Sequence, residues 1–298
     1  MPARMAMKRR RDSIKVRASV RRHTLRAMRL SSRVLRWYSR SGRVLPWRET
    51  RDPFAILVSE VMLQQTQASR VIPAYRRFLR RFPTLADLAR ASLGDVLREW
   101  SGLGYNRRAR DLHRIALANR SGLPRDLAGL DALPGVGTYT AGAVACFAFG
   151  LRVAFADTNI RRVLGRVLLG RAATPREALT LDATHMPRRG VDRWHHALMD
   201  VGALFCTARA PRCEACPLRP VCRARGAGPP AKRRREAPFA SSTRRVRGRI
   251  LRLLARSAGA MDARELARRV DDPRTAALAL RLAAEGLLAR DGDRYRLP

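Results

Sequence analysis

Apolar residues recur three and four positions apart along most of the chain between residues 31 and 222, as at Val58, Val61 and Met62. That spacing lines one face of a 3.6-residue helix. It predicts helices over 54–67, 71–82, 93–100, 107–120, 138–149 and 158–169, parted by short Gly/Pro turns. Strand-like alternation is missing from this stretch, so the pattern gives an all-α core. A second patterned unit follows. VRGRILRLLAR, DARELARRV and PRTAALALRLAAEGLL each read as a helix, and LLARDGDRYRLP reads as a hairpin turning at Asp291 and Gly292. Three helices and a hairpin suggest a small winged-helix-like module. Between the two units, residues 223–249 hold ten basic residues, one acid and a Gly/Pro cluster, and read as a linker. The expected organisation is a basic tail over 1–30, a core over 31–223, a linker over 224–245 and the module over 246–298.

Charge then narrows the partner class. The 298 residues carry 62 Lys+Arg against 24 Asp+Glu, a formal net charge of +38. Such an excess repels itself unless a polyanion neutralises it, so nucleic acid is the expected partner. Thirteen of the first 36 residues are Lys or Arg, set against Asp12 alone; they read as a solvated tail compatible with a DNA-tethering arm. No apolar run approaches the roughly 18–20 residues that cross a bilayer. The basic start of the chain has no apolar stretch of signal-peptide length. A cytoplasmic protein of the bacterial nucleoid, monomeric and with no membrane partner, is the expectation.

Four of the five cysteines crowd together as Cys206-x6-Cys213-x2-Cys216-x5-Cys222. Without an export signal, that crowding reads as a metal or cluster site before disulfides. A four-cysteine zinc site is one alternative, though such sites usually come as two Cys-x2-Cys pairs. A [4Fe–4S] cluster tolerates uneven spacing because its cubane spreads the ligands, and the spacing favours it. Cys146, in AGAVACFAFG, reads as a buried small side chain.

Two further features carry chemistry. Leu133-Pro134-Gly135-Val136-Gly137 joins two helical segments, and its glycines can present backbone N–H groups to a phosphate at a helix start. A plain helix–helix turn is the bland alternative. Glu60 lies in the otherwise apolar FAILVSEVML, where burial favours the protonated form and suits a general acid. Asp157 precedes the helix start TNIRR, where the positive helix end and nearby arginines favour the carboxylate. Taken singly, Asp157 reads as a cap and Glu60 as the partner of a buried arginine. As a pair they suit protonation of a leaving group and stabilisation of a developing sugar cation.

Pro46-Trp47-Arg48, the string SEVMLQQTQ from Ser59 to Gln67, Gly102-Leu103-Gly104-Tyr105, LPGVG, Asp157-x-Asn159 and the cysteine loop occur in one order. In these motifs residues 31–223 resemble the MutY-type adenine DNA glycosylases, relatives of endonuclease III in the helix-hairpin-helix superfamily. The resemblance implies that fold, with a [4Fe–4S] cluster on Cys206, Cys213, Cys216 and Cys222. It implies that Glu60 protonates the departing adenine and that Asp157 stabilises the oxocarbenium-like sugar, with Asn159 and Tyr139 ordering the pocket. Leu45, Trp47 and Arg48 would line the adenine site, Gln65 and Thr66 would probe the opposite base, and Tyr105 would wedge into the stack. Gly135, Val136 and Gly137 would grip phosphate. The expected substrate is adenine opposite 8-oxoguanine or guanine in double-stranded DNA.

Departures qualify the match. Relatives that cut the strand carry lysine where this chain has Tyr139, so base excision without an efficient lyase step is expected. Gly104-Tyr105 is followed by Asn106 instead of a second tyrosine, and His196 stands where relatives carry Gln or Glu. The module is too short for the Nudix-like domain of many relatives. A mismatch-specific thymine or uracil glycosylase is therefore the alternative enzyme, and a non-catalytic DNA-binding iron–sulfur protein the alternative from another class.

Overall fold

The structure, a computed structural model, describes residues 30–225, 241–257 and 259–298. Nearly all of the expected tail and most of the expected linker lie outside the described residues. In chain order the helices are α1 (residues 30–41), α2 (Pro53–Leu63), α3 (Ala68–Arg81), α4 (Leu85–Arg90), α5 (Leu93–Glu99), α6 (Arg107–Ala118), α7 (Leu127–Asp131) and α8 (Thr138–Phe147). They continue with α9 (Thr158–Leu164), α10 (Pro175–His185), α11 (Val191–Leu204), α12 (Thr243–Arg256), α13 (Ala263–Val270) and α14 (Thr275–Ala284). The described residues form two compact units, one within Leu45–Phe149 and Arg233–Pro298, the other within Met1–Val44 and Gly150–Lys232.

In the unit built on Leu45–Phe149, α2 is the central helix. Asp52 starts it by accepting from the Phe54 and Ala55 amides at 3.1 and 3.3 Å, with Pro53 at the first helical position. Every residue from Phe54 to Met62 is buried, as expected of a helix that is apolar all round. It packs on α3, α6 and α8. The small residues Ala141, Gly142, Ala143 and Ala145 of α8 are buried too and keep that side compact. The expected helix over 54–67 ends early, at Leu63, and Gln65 takes a left-handed φ of 54°.

Residues 241–298 belong to the same unit. Ser242 caps α12 by accepting from the Arg245 amide, so the helix opens at Thr243, ahead of the expected boundary at 246. Three short antiparallel strands, β1 (Met261–Asp262), β2 (Ala289–Asp291) and β3 (Arg294–Arg296), run in the order β1-β3-β2. The fold is thus mostly helical, and its only strands among the described residues lie here. The hairpin turns on Gly292 and Asp293, one residue later than expected, with Gly292 supplying a φ of 56°. α12 packs on α5, and the Gly94 amide donates to the Pro298 carbonyl at 2.7 Å.

In the other unit α9 packs on α10 and α11. Gly202 of α11 makes the second approach possible, because a Cβ there would lie 2.5 Å from the Cβ of Asn159. The core holds a polar knot. The Asp182 carboxylate accepts from Trp194 Nε1 at 2.7 Å and the Phe155 amide at 3.2 Å, and meets His195 Nε2 at 2.8 Å. All four residues are buried. The expected helix over 158–169 gives way after Leu164 to a π-helical turn, Gly165–Leu169, ended by Gly170 at a φ of 77°.

Candidate functional site

α2 carries Glu60 into the interior, where it is 5% exposed between Ser59 and Val61. The neighbouring expected residues are split by depth. Leu45 and Trp47 are buried, and Trp47 meets Tyr75 edge-on at 5.5 Å, while Arg48 is half-buried. Burial and the nearby Asp52 push the Tyr75 hydroxyl up to about 12. Thr140, one residue after Tyr139, approaches Gln64 Nε2 at 3.4 Å. Tyr139 itself is half-buried on the first turn of α8.

The residues expected to probe DNA form two loops tied to one arginine. Arg108, on the first turn of α6, donates to the carbonyls of Val61, Met62 and Gln64 at 2.8, 3.0 and 2.6 Å. These are carbonyls that the end of α2 leaves without helical partners. It also donates to the Gly104 carbonyl at 3.1 Å and lies over the Trp100 and Tyr105 rings. Burial lowers its guanidinium to about 10. Gln65 and Tyr105, at φ 54° and 49°, are two of the four described non-glycine residues in the left-handed region. Such conformations persist where surrounding contacts over-determine them, and they cluster at functional sites. Sequence reading singled out both loops and missed Arg108. The only signal was an arginine one turn into the helix after Gly-Tyr-Asn.

α7, the LPGVG turn and α8 make a helix-hairpin-helix element. Leu133 and Val136 are buried anchors, and Gly135 and Gly137 are exposed. Gly135 has φ 72°, and a Cβ there would meet the Asp111 side chain at 3.1 Å. Gly137 begins α8 without a side-chain cap, which leaves first-turn amides for an outside acceptor.

In the other unit Asp157 caps α9, accepting from the Ile160 amide at 2.7 Å through Oδ1 and from Asn159 Nδ2 at 2.7 Å through Oδ2. Asn159 Oδ1 in turn accepts from Arg162 at 2.6 Å. Arg162 also donates to the Gly202 carbonyl at 2.8 Å and to the Cys206 carbonyl. A continuous chain of hydrogen bonds therefore runs from the first cysteine to the carboxylate. Burial lowers the Arg162 guanidinium from its ordinary range, with Cys206 and Asp157 pulling the other way. Arg162 gave no sequence signal, since it sits among many arginines. His196 is buried on α11, 6.4 Å from Tyr38 ring to ring.

Cys206, Cys213, Cys216 and Cys222 are unpaired thiols lining one small cavity of about 30 Å³ with Val163, Val167 and Leu218. Burial pushes Cys216 up to about 11, the three neighbouring sulfurs adding to it. Among the described residues no three His, Cys, Asp or Glu side chains are arranged to hold a single metal ion. Arg166, in the π-helical turn, ties both ends of this loop. Its side chain donates to the Thr207 and Ala208 carbonyls at 2.7 and 3.1 Å, and its carbonyl accepts from the Ala224 amide at 3.1 Å.

The family profile described as HhH-GPD superfamily base excision DNA repair protein matches residues 58–183, from α2 to α10. An adenine DNA glycosylase of Mycobacterium tuberculosis (strain CDC 1551 / Oshkosh) is 47% identical over 234 residues, 74% of this chain and 77% of that one. A thermostable thymine-DNA glycosylase structure superposes with a TM-score of 0.60 at 30% identity, over 68% of this chain and 97% of that one. A non-covalent endonuclease III–DNA complex gives 0.58 at 25% identity, over 65% and 92%. With the Glu60 helix, the hairpin and the Asp157 cap all within or beside the matched stretch, the chain belongs to the adenine DNA glycosylase family of the HhH-GPD base excision repair superfamily.

Proposed function

We propose that this chain hydrolyses the N-glycosidic bond of adenine mispaired with 8-oxoguanine or guanine in double-stranded DNA. The observation that carries the reading is the burial of Glu60 in an apolar helix, where a carboxyl group is suited to hold a proton until a leaving group needs it. Glu60 protonates the extruded adenine, and the bonding electrons leave with the base. Asp157, oriented by the Ile160 amide and Asn159, stabilises the positive charge that develops on the sugar. Water then completes an abasic site. Leu45, Trp47 and Arg48 line the base pocket, Gln65, Thr66 and Tyr105 work on the opposite strand and the stack, and Gly135, Val136 and Gly137 take phosphate. With Tyr139 in the place of a lysine, no Schiff base forms and the strand stays intact until alkali is added. The mismatched-pyrimidine alternative is not favoured, because the 47%-identical relative is named for adenine and the thymine-DNA glycosylase structure is similar at 30% identity.

Four thiols lining one cavity suit a [4Fe–4S] cluster held by Cys206, Cys213, Cys216 and Cys222. When bound, the cluster supplies a rigid anchor for the basic loop. Residues 241–298, with the order helix, strand, two helices and hairpin, are a winged-helix-like module. The protein works as a monomer in the bacterial cytoplasm.

Single-turnover assays on A:8-oxoguanine, A:G, T:G and U:G duplexes test the reading beside Glu60→Gln and Asp157→Asn. Excision confined to adenine, slowed by about 10²–10⁴ in each variant, is expected. Loss of less than tenfold in both, or preference for T:G, overturns it.

A further inference from the structure

The α12 helix, TRRVRGRILRLLAR, carries six arginines and no acid. By contrast α14, the third helix of the module and the one a winged helix would lay in a groove, is TAALALRLAA with a single arginine. Positive charge has thus been placed on the helix that meets the rest of the unit. There α12 borders two clefts on either side of Tyr105. One, of about 430 Å³, is lined by Gln65, Tyr105, Arg108, Arg244 and Arg247 among others. The second, of about 360 Å³, has Thr66, Gly102, Tyr105, Arg244, Gly248 and Arg252 in its wall.

Most arginines here are already engaged. Arg107 and Arg247 both pair with Glu285, and Arg108 is taken up by carbonyls. Arg244 and Arg252 differ. Arg244 is exposed, lies 4.9 Å above the Tyr105 ring and donates to its hydroxyl at 2.6 Å, with no carboxylate partner among the described residues. Arg252 is exposed and, among the described residues, donates only to the Gly248 carbonyl, one turn back. Residues 244, 248 and 252 share one stripe of the helix. Its middle position is a glycine whose missing Cβ would meet nothing within 4 Å. Two guanidinium groups with no carboxylate partner among the described residues therefore flank open space at Gly248.

We propose that Arg244 and Arg252, on either side of Gly248, bind phosphates of the DNA strand opposite the extruded adenine, making the 241–298 module part of the DNA interface. Exposed guanidinium groups with no carboxylate partner among the described residues suit a phosphate better than a base edge. Assignment to that strand rests on the proposed function, because Gln65 and Tyr105, which share these clefts, are there assigned to it.

The test measures duplex binding by the full chain across a salt series. Arg244→Gln with Arg252→Gln is compared with Arg268→Gln, an equal kind of charge loss on α13 where Glu265 already pairs. Each lost phosphate contact lowers the slope of log K against log salt by about 0.9, so the double variant loses about 1.8 and Arg268→Gln loses none. Methylphosphonates in the opposite strand should abolish the difference between wild type and the double variant, and those in the adenine strand should leave it. An unchanged slope overturns the proposal, as does an effect that follows the adenine strand. A collapse of preference for 8-oxoguanine over guanine at constant slope overturns it in favour of base reading. Should the wild type fail to excise adenine, the functional reading falls, while the salt slope on plain duplex still tests the module's contact.

Discussion

The Arg108 guanidinium lies over the Tyr105 ring, 5.2 Å from its centroid, while taking the Gln64 carbonyl at 2.6 Å. One side chain thereby fixes two loops that are 40 residues apart in sequence, each with a left-handed residue, Gln65 and Tyr105. The arrangement is stiff because the cation replaces the hydrogen bonds that α2 would otherwise owe to water or a further helical turn.

Arg108→Ala leaves the Val61, Met62 and Gln64 carbonyls short of a donor. Charge-assisted bonds of this kind carry about 1.5–3 kcal/mol each and do not add, so a loss of about 2–3 kcal/mol is expected in urea unfolding. Arg108→Lys cannot serve all the carbonyls at once and should recover less than half. Wild-type stability in either variant would remove Arg108 from this role.

Arg162→Met should slow adenine excision by about 10–100-fold, the usual cost of losing a partner that orients a functional ligand. Asn159 Oδ1 would lose the donor that fixes its amide, and the Asp157 carboxylate would lose its alignment. Single-turnover rates at saturating enzyme read this directly. A rate within twofold of wild type would mean that Asn159 is held by other contacts.

Gly202→Ala reaches the same carboxylate by packing. Its methyl would lie 2.5 Å from Asn159 Cβ and 3.1 Å from its Cα, so α9 must shift. Overpacking of this sort costs about 1–3 kcal/mol. Loss of excision accompanied by a lower melting temperature is expected, whereas Gly248→Ala, with open space around it inside α12, should not lower melting and should add about 0.5–1 kcal/mol of helix propensity.

Glu285 gives a pH dependence. Arg107 and Arg247 hold its carboxyl down to about 2, from 4.5 in the unfolded chain. A depressed folded value means that the carboxylate stabilises the fold in full above pH 4.5, and that this contribution fades as pH falls towards 2. Protection of the α12 and α14 amides, taken relative to the intrinsic exchange rate at each pH, should therefore fall across that window. Glu285→Gln should show the lowered protection already at neutral pH, with a flatter dependence below it.

What could be read from the sequence was local. The Asp157 cap, the glycine-bearing hairpin and the Asp-Gly turn near residue 292 are each set by neighbours within a few positions. The end of α2 was not legible, because SEVMLQQTQ has helical periodicity throughout and the group that stops it, Arg108, lies 44 residues beyond Gln64. Arg162 and Gly202 were hidden for a similar reason: their meaning depends on α9 meeting α11. The strand β1 has two residues and no periodicity to read. The stripe of Arg244, Gly248 and Arg252 straddles a basic linker-like run and the start of a helix, and charge content alone does not tell a solvated face from one that lines a cleft.

The π-helical turn widens α9 by one residue at Arg166, and from there a single residue fastens both margins of the cysteine loop. A segment closed at its base has already lost most of the freedom that ring formation would demand of an open chain. The four thiols are thus brought to one cavity by the folding of this unit itself.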